Sequence, residues 1–138
     1  MFSFENIPSI STEEMLARYI THKSEFRKDG TVKPTLFVPY KHVELSVNRH
    51  LECSEDEIWQ FGIQVANRRS RKLIARCDVE ASACTEKVAL KVKASPLRGD
   101  NNPNHADIYG YPEEKSEQLS IAQKLVTYAS ECIASPGD

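Results

Sequence analysis

The side chains best suited to acid–base chemistry in this sequence are His22, Arg49 and His105. A histidine changes its charge near neutral pH, so two histidines can serve as acid and base. A guanidinium beside them can stabilise the negative charge that develops in a transition state. The three residues are predicted to lie at the ends of secondary-structure elements. If the fold brings them together, they form the catalytic set of a small hydrolase or transferase that acts on RNA or a nucleotide.

A second candidate site is the segment 95–112, which combines glycine and proline with amide, imidazole, carboxylate and phenol side chains. Long loops without regular structure are uncommon in compact domains, and they often bind a ligand. Turn formation is the alternative explanation, because Asn, Asp and His side chains also stabilise turns in their own backbone. The binding residues predicted for this loop are Asn102, Asn104, His105, Asp107, Tyr109 and Tyr111.

A basic cluster, Arg68, Arg69, Arg71 and Lys72, forms the end of a predicted helix. Such a cluster can bind phosphates, which makes nucleic-acid binding through a local patch one hypothesis. The same helix begins with acidic residues at 55–57, and this arrangement of charges is also what a helix dipole favours. Aromatic residues are not interleaved with the basic ones, so nothing indicates stacking of bases. Nucleic-acid binding is therefore not the favoured interpretation.

Known motifs for metal, cofactor and nucleophile sites are missing from the sequence. The four histidines, His22, His42, His50 and His105, include no H-x-x-x-H pair, and the four cysteines include no C-x-x-C pair. There is no G-x-G-x-x-G motif, no Walker A loop and no G-x-S-x-G elbow. We expect no metal and no cofactor, and the sequence leaves open whether the protein is an enzyme.

The composition is that of one folded, soluble domain. The 138 residues, 40% of them hydrophobic and 28% charged, are enough for a core. The formal charge of −2 provides no global positive field for nucleic acid or an anionic membrane. No apolar run approaches the ~20 residues of a membrane helix, and no signal peptide is visible. We expect a cytoplasmic protein with reduced thiols and no membrane contact.

Apolar periodicity and turn signals predict elements in the order α-β-β-α-β-β-α. Two capping boxes, Ser11 with Glu14 and Ser54 with Glu57, indicate the starts of two helices. Pro112 suits the first position of a third helix. We therefore expect helices at about 11–23, 54–72 and 112–134, and strands at 35–38, 43–47, 73–79 and 88–93.

These elements predict an α+β fold, in which about three helices pack on one face of a small, mainly antiparallel sheet. Short strands with alternating apolar residues are typical of such sheets. The chain from 1 to 138 is predicted to be a single domain. Residues 1–10 form an extended arm in this prediction, and residues 95–112 form the long loop.

The favoured function is a small binding or accessory module that acts through protein–protein contacts. An apolar arm, a long polar loop and an amphipathic last helix offer surfaces to a protein partner or to a second copy of the chain. The apolar residues of that helix are Leu119, Ala122, Val126, Ala129 and Ile133. The alternative for both segments is that they pack on the sheet of their own domain.

Overall fold

The computed structural model describes residues 1–39 and 44–137. His42 and Val43, a candidate metal ligand and the first residue of a predicted strand, lie outside the described residues. Within the described residues, a six-stranded sheet has the order β4-β5-β2-β1-β3-β6, and every pair in it is antiparallel. The strands are β1 (Met15–Ile20), β2 (Leu45–Arg49), β3 (Ala75–Glu80), β4 (Lys91–Ala94), β5 (His105–Tyr109) and β6 (Ile133–Ala134).

Two α-helices cover this sheet, α1 (Glu55–Arg68) and α2 (Lys115–Leu125). Ser54 caps α1 and Glu57 completes its capping box, as predicted, although α1 ends four residues before Lys72. The predicted α+β fold with a mainly antiparallel sheet is confirmed. None of the described helices is both long and apolar enough to cross a membrane.

The predicted first helix is wrong, because Met15–Ile20 is the central strand β1. Glu14 accepts a hydrogen bond from Ser11 N (2.7 Å), so the capping residues do interact, but they close a turn. Leu16 and Ile20 then enter one core while Ala17 and Tyr19 enter the other. A strand that is buried on both faces has a continuous apolar sequence, and periodicity alone does not distinguish such a sequence from that of a buried helix.

The helices lie on opposite faces of the sheet, and not on one face as predicted. Ile58 and Phe61 of α1 pack with Tyr19, whereas Leu125 of α2 packs with Leu16. Side chains alternate across a strand, so Leu16 and Tyr19 point to different faces. The α1 face of the sheet carries polar side chains from β2 and β5, and it is there that a groove forms.

Segment 95–112 also differs from the predicted loop, since it contains a 3₁₀ turn at Arg98–Asp100 and the strand β5. In β5, His105 and Asp107 point to the face opposite Ala106 and Ile108, which are fully buried. This is the alternation of a strand with one polar face. The sequence did not indicate a strand here, because the same polar residues are also common in turns.

Two further predictions are corrected. Residues 35–38 do not form a strand, because Pro34–Phe37 is a 3₁₀ turn whose consecutive residues Leu36 and Phe37 are both buried. The last helix stops at Leu125, and Ile133–Ala134 becomes the edge strand β6 beside β3. Pairing with a distant strand thus replaces the helical continuation that the apolar spacing indicated.

Candidate active site

A groove of about 340 Å³ lies between the second half of α1 and the β2–β5 part of the sheet. This volume lies near the lower end of the range for pockets that bind small ligands and cofactors. Polar and cationic side chains dominate its lining, which includes Ser46, Gln64, Arg68, Arg69, Asn102 and His105.

Strand pairing brings Ser46 and His105 together although they are 59 positions apart in the chain. In the β2–β5 register, Ser46 is opposite Asp107 and Asn48 is opposite His105. All four side chains therefore share one face of the sheet. The Oγ atom of Ser46 lies 2.5 Å from Nε2 of His105, which is a direct hydrogen bond.

The other nitrogen of His105 is held by Ser95. Nδ1 lies 2.9 Å from the main-chain carbonyl of Ser95 and 2.9 Å from Ser95 Oγ, and this hydroxyl donates a hydrogen bond to Asp107 Oδ2 (2.7 Å). A carbonyl only accepts, so Nδ1 carries the ring proton and donates it to Ser95 O. Nε2 is then free of a proton and accepts the hydroxyl proton of Ser46, which is the arrangement that a general base requires.

Arg18 lies behind Ser46. Its Nε donates to the carbonyl of Leu36 (3.0 Å), and its Nη1 donates to the carbonyl of Ser46 (2.9 Å). Among the described residues, Leu16 and Ala17 are the β1 residues that pair with β2, and the Arg18 side chain donates to the β2 backbone just beyond them. Burial and the charge of Arg69 lower the pKa of Arg18 to about 10.

Two more arginines belong to the groove itself. Arg68 is exposed and pairs with Asp100 (2.8 Å). Arg69 is half-buried and donates to Thr21 Oγ1 (3.3 Å), and burial lowers its pKa. These two residues of the predicted basic cluster therefore face the same groove as Ser46.

The structure does not bring His22, Arg49 and His105 together. His22 is exposed and caps a 3₁₀ turn, where its Nδ1 accepts a hydrogen bond from Ser24 N. Arg49 is fully buried and binds Glu14. Since Arg49 follows Asn48 on β2, its side chain points to the face opposite His105. Of the trio, His105 alone lines the groove.

The predicted loop residues have different roles. Asn102 lines the groove and donates to Asn48 Oδ1 (2.7 Å), and Asp107 supports Ser95. Asn104 is fully buried, accepts a hydrogen bond from Phe2 N and donates to the carbonyls of Arg49 and Leu51. The two tyrosines lie elsewhere: Tyr111 donates to Phe37 O (2.8 Å), and the ring of Tyr109 lies 4.9 Å from Lys93 Nζ.

Arg71 and Lys72, the other half of the basic cluster, line a second groove of about 600 Å³ beside Ile63 and Leu73. Both are exposed, and neither lines the groove that contains Ser46 and His105. The predicted basic cluster is thus divided between two surfaces.

Ser46, Ser95, Arg18 and Gln64 were missed in the sequence. Ser46 occupies the polar side of an alternating strand, which is a common position for a serine. Its only distinguishing feature is the contact with His105, and that contact depends on the β2–β5 register. A local sequence pattern does not indicate the pairing of two strands that lie this far apart in the chain.

Within the parts of the chain that the structure describes, no three His, Cys, Asp or Glu side chains are grouped to hold a metal ion. Comparison of the chain with family models, with curated proteins and with solved structures finds no match.

Proposed function

We propose that this protein is a small hydrolase or transferase in which Ser46 is the nucleophile and His105 is the general base. The observation that carries the proposal is the 2.5 Å contact between Ser46 Oγ and His105 Nε2 at the wall of a groove. A serine activated by a histidine, whose other nitrogen is held by an acceptor, is a recurring arrangement in acyl and phosphoryl transfer.

The proposed reaction begins when Ser46 Oγ attacks the electrophilic carbon or phosphorus of an ester. The hydroxyl proton passes to His105 Nε2 as the new bond to Oγ forms. The bond to the leaving oxygen then breaks, and His105 returns the proton to that oxygen. In a second step, water, or an acceptor alcohol in a transferase, attacks the covalent intermediate and gives its proton to His105. The bond to Ser46 Oγ breaks, and His105 returns the proton to Ser46 Oγ.

Ser95 and Asp107 support the base in this mechanism. The Ser95 carbonyl accepts the Nδ1 proton and keeps the ring in the required tautomer. Asp107 accepts the hydroxyl proton of Ser95 and adds a negative charge on that side of the ring. That charge favours the imidazolium that forms while Ser46 attacks.

The expectation of a protein-binding module has less support, because two of its three expected surfaces, the arm and the last helix, pack against the rest of the chain. Phe2 of the arm is buried, and Arg49 binds the carbonyls of Pro8 and Ser9. Ala122 and Leu125 of α2 are fully buried in the chain's own core. Binding of a protein partner or of a second copy stays a prediction, as does a cytoplasmic location.

A fluorophosphonate probe tests the proposal, since it phosphonylates activated serines. We expect Ser46 Oγ of the purified full chain to bond to the phosphorus of the probe and displace its fluoride, and peptide mass spectrometry should locate the adduct on Ser46. His105→Ala should react about 10²–10⁴-fold more slowly, which is the usual contribution of a general base. Ser46→Ala should not react.

The chain offers a matched control in Ser24, whose Oγ lies 2.6 Å from Nδ1 of His22 on the exposed surface. Ser24→Ala should label at the wild-type rate. Labelling of Ser46→Ala at the wild-type rate, or no adduct on folded wild-type protein over hours, would overturn the proposal. Thermal unfolding of each variant establishes that it is folded.

A further inference from the structure

We infer that the ligand of this groove is a phosphorylated sugar, as in a sugar phosphate or a mononucleotide, with its phosphate at Arg69 and Arg68 and a hydroxyl at Gln64. This inference deepens the proposed function, because it names the substrate class of the same site. It rests on three features of the groove that the Ser46–His105 pair does not explain.

The first feature is the unbalanced charge of Arg69. Its guanidinium is half-buried, and among the described residues its one hydrogen bond goes to the neutral hydroxyl of Thr21. Arg18, close enough for Arg69 to lower its pKa, bonds only to main-chain carbonyls in the same part of the chain. A guanidinium that is partly removed from water and hydrogen-bonded only to a neutral group is stabilised by an anion that binds beside it in the groove.

One carboxylate, that of Glu25, lies near enough to raise the pKa of both arginines. Its Oε1 already accepts hydrogen bonds from the main-chain nitrogens of Thr21 and His22, each at 3.1 Å. No hydrogen bond joins it to either guanidinium within the described residues. The five donors of Arg69 are therefore largely available, in the planar geometry that matches a phosphate.

Arg68 supplies a second cation that can change partner. It pairs with Asp100 at 2.8 Å, but its side chain is 62% exposed. An ion pair this exposed contributes little to stability, so an entering phosphate can compete with Asp100 for the guanidinium. Arg68 and Arg69 then bring two positive charges to the groove against the one negative charge of Asp100, so the lining keeps a net positive charge that attracts a phosphate monoester.

The third feature is an acceptor without a donor. Gln64 Nε2 donates to the main-chain carbonyl of Asp100 (3.1 Å), which orients the amide, while its Oε1 is buried and has no partner among the described residues. A buried acceptor is normally hydrogen-bonded, and a buried acceptor without a hydrogen bond is unfavourable. A sugar hydroxyl supplies the hydrogen-bond donor that this oxygen lacks.

Hydrolysis of such a phosphate ester needs water as its only co-reactant. Ser46 Oγ bonds to phosphorus, the bond from phosphorus to the ester oxygen breaks, and His105 gives that oxygen its proton. Water then attacks the phosphoserine, its proton goes to His105, and the Ser46 hydroxyl and inorganic phosphate are released. The arginines stabilise the charge on the phosphoryl oxygens in both steps.

Calorimetric titration separates binding from catalysis, with Ser46→Ala as the protein so that ligands are not consumed. We expect ribose 5-phosphate and AMP to bind, adenosine to bind at least tenfold more weakly, and inorganic phosphate to bind more weakly than ribose 5-phosphate. The additional change Arg69→Gln should weaken the binding of ribose 5-phosphate at least tenfold, because a bidentate charged contact with the phosphate is lost. In the Ser46→Ala protein, the additional change Gln64→Leu should weaken the binding of ribose 5-phosphate several-fold and leave the binding of inorganic phosphate unchanged.

Arg71→Gln is the matched control, because Arg71 lies at the same end of α1 but outside this groove. It should bind ribose 5-phosphate as Ser46→Ala alone does, and unfolding curves check that Arg69→Gln is folded. If no phosphorylated compound binds, or if Arg69→Gln binds as tightly as its parent, the inference is wrong.

The two proposals can fail separately. If ribose 5-phosphate binds through Arg69 but wild-type Ser46 takes no probe, the proposed catalysis is wrong and the ligand class stands. If Ser46 is labelled by the probe and ribose 5-phosphate does not slow the labelling, the catalysis stands and the inference about the ligand is overturned.

Discussion

Arg49 and Glu14 form a forked ion pair inside the protein, with Nε 2.6 Å from Oε1 and one terminal nitrogen 2.8 Å from Oε2. Two further N–H groups of the guanidinium donate to the carbonyls of Pro8 and Ser9, and the ring of Phe2 lies 4.6 Å away. The pair therefore attaches the N-terminal arm to β2. It explains why Arg49, a candidate for charge stabilisation in catalysis, is not available to a substrate.

Removal of one partner of this pair should be strongly destabilising. We expect Glu14→Ala to lower the free energy of unfolding by about 3–5 kcal/mol, because an uncompensated guanidinium is left buried. Urea unfolding followed by circular dichroism measures this. The double variant Glu14→Leu with Arg49→Met should recover much of the loss, and a double variant as unstable as the single one would contradict this account.

Gly62 in the middle of α1 is expected to be intolerant of a side chain. A Cβ atom there would lie 2.7 Å from two ring atoms of Tyr19 and 3.0 Å from Leu73. The Tyr19 hydroxyl is bonded to the carbonyl of Ile58, so its ring cannot easily move. Gly62→Ala should lower stability by about 1–3 kcal/mol despite the better helix propensity of alanine.

Gly99 provides the comparison for that substitution, since nothing lies within 4 Å of a Cβ built on it. Gly99→Ala should change the free energy of unfolding by no more than about 0.5 kcal/mol, which is usual for surface positions. Equal stabilities for Gly62→Ala and Gly99→Ala in urea titrations would show that the Tyr19 ring yields at no cost.

Ser95→Ala separates the two contacts that Ser95 makes with the proposed base. The substitution removes the hydroxyl that links His105 to Asp107, while the main-chain carbonyl that holds Nδ1 remains. We expect the rate of fluorophosphonate labelling to fall only about tenfold, against 10²–10⁴-fold for His105→Ala. A rate for Ser95→Ala as low as that of His105→Ala would mean that the hydroxyl, and not the carbonyl, orients the ring.

The buried thiols predict an alkaline loss of stability. Burial raises the pKa of Cys77 and of Cys84 to about 12, whereas an unfolded chain releases thiol protons near pH 8.5. The folded state therefore binds more protons than the unfolded state between these values. Its stability is complete below about pH 8.5 and falls as the pH rises toward 12.

Unfolding in urea at pH 7.5 and pH 9.5 checks this expectation. The wild-type chain should lose stability between the two values, and Cys84→Ala should lose less of it. At pH 8 a thiol reagent such as DTNB should react with Cys77 and Cys84 only after urea is added. Rapid reaction of these two thiols in the folded protein would contradict the burial that raises their pKa.

Local signals in the sequence were reliable where the interaction itself is local. Ser54 and Glu57 cap α1 through hydrogen bonds that span three residues, and the helix begins where that pattern predicts. Ser11 and Glu14 present the same pattern, and Ser11 N donates to Glu14 Oε2, but the Ser11 hydroxyl accepts from Glu13 N and a strand follows. There Glu14 also binds Arg49, and β1 pairs with β2 and β3, so contacts with distant residues outweigh the local preference.

By itself the sequence determined the class of the fold, the start of α1 and the presence of a polar, His-containing segment, because composition, capping and alternation act over a few residues. Only the tertiary structure decided that this segment is a strand, that Arg49 faces away from His105, and that Ser46 meets His105. A shift of the β2–β5 register by one residue would send these side chains to opposite faces. That register is set by burial across the whole sheet, and no short stretch of sequence contains it.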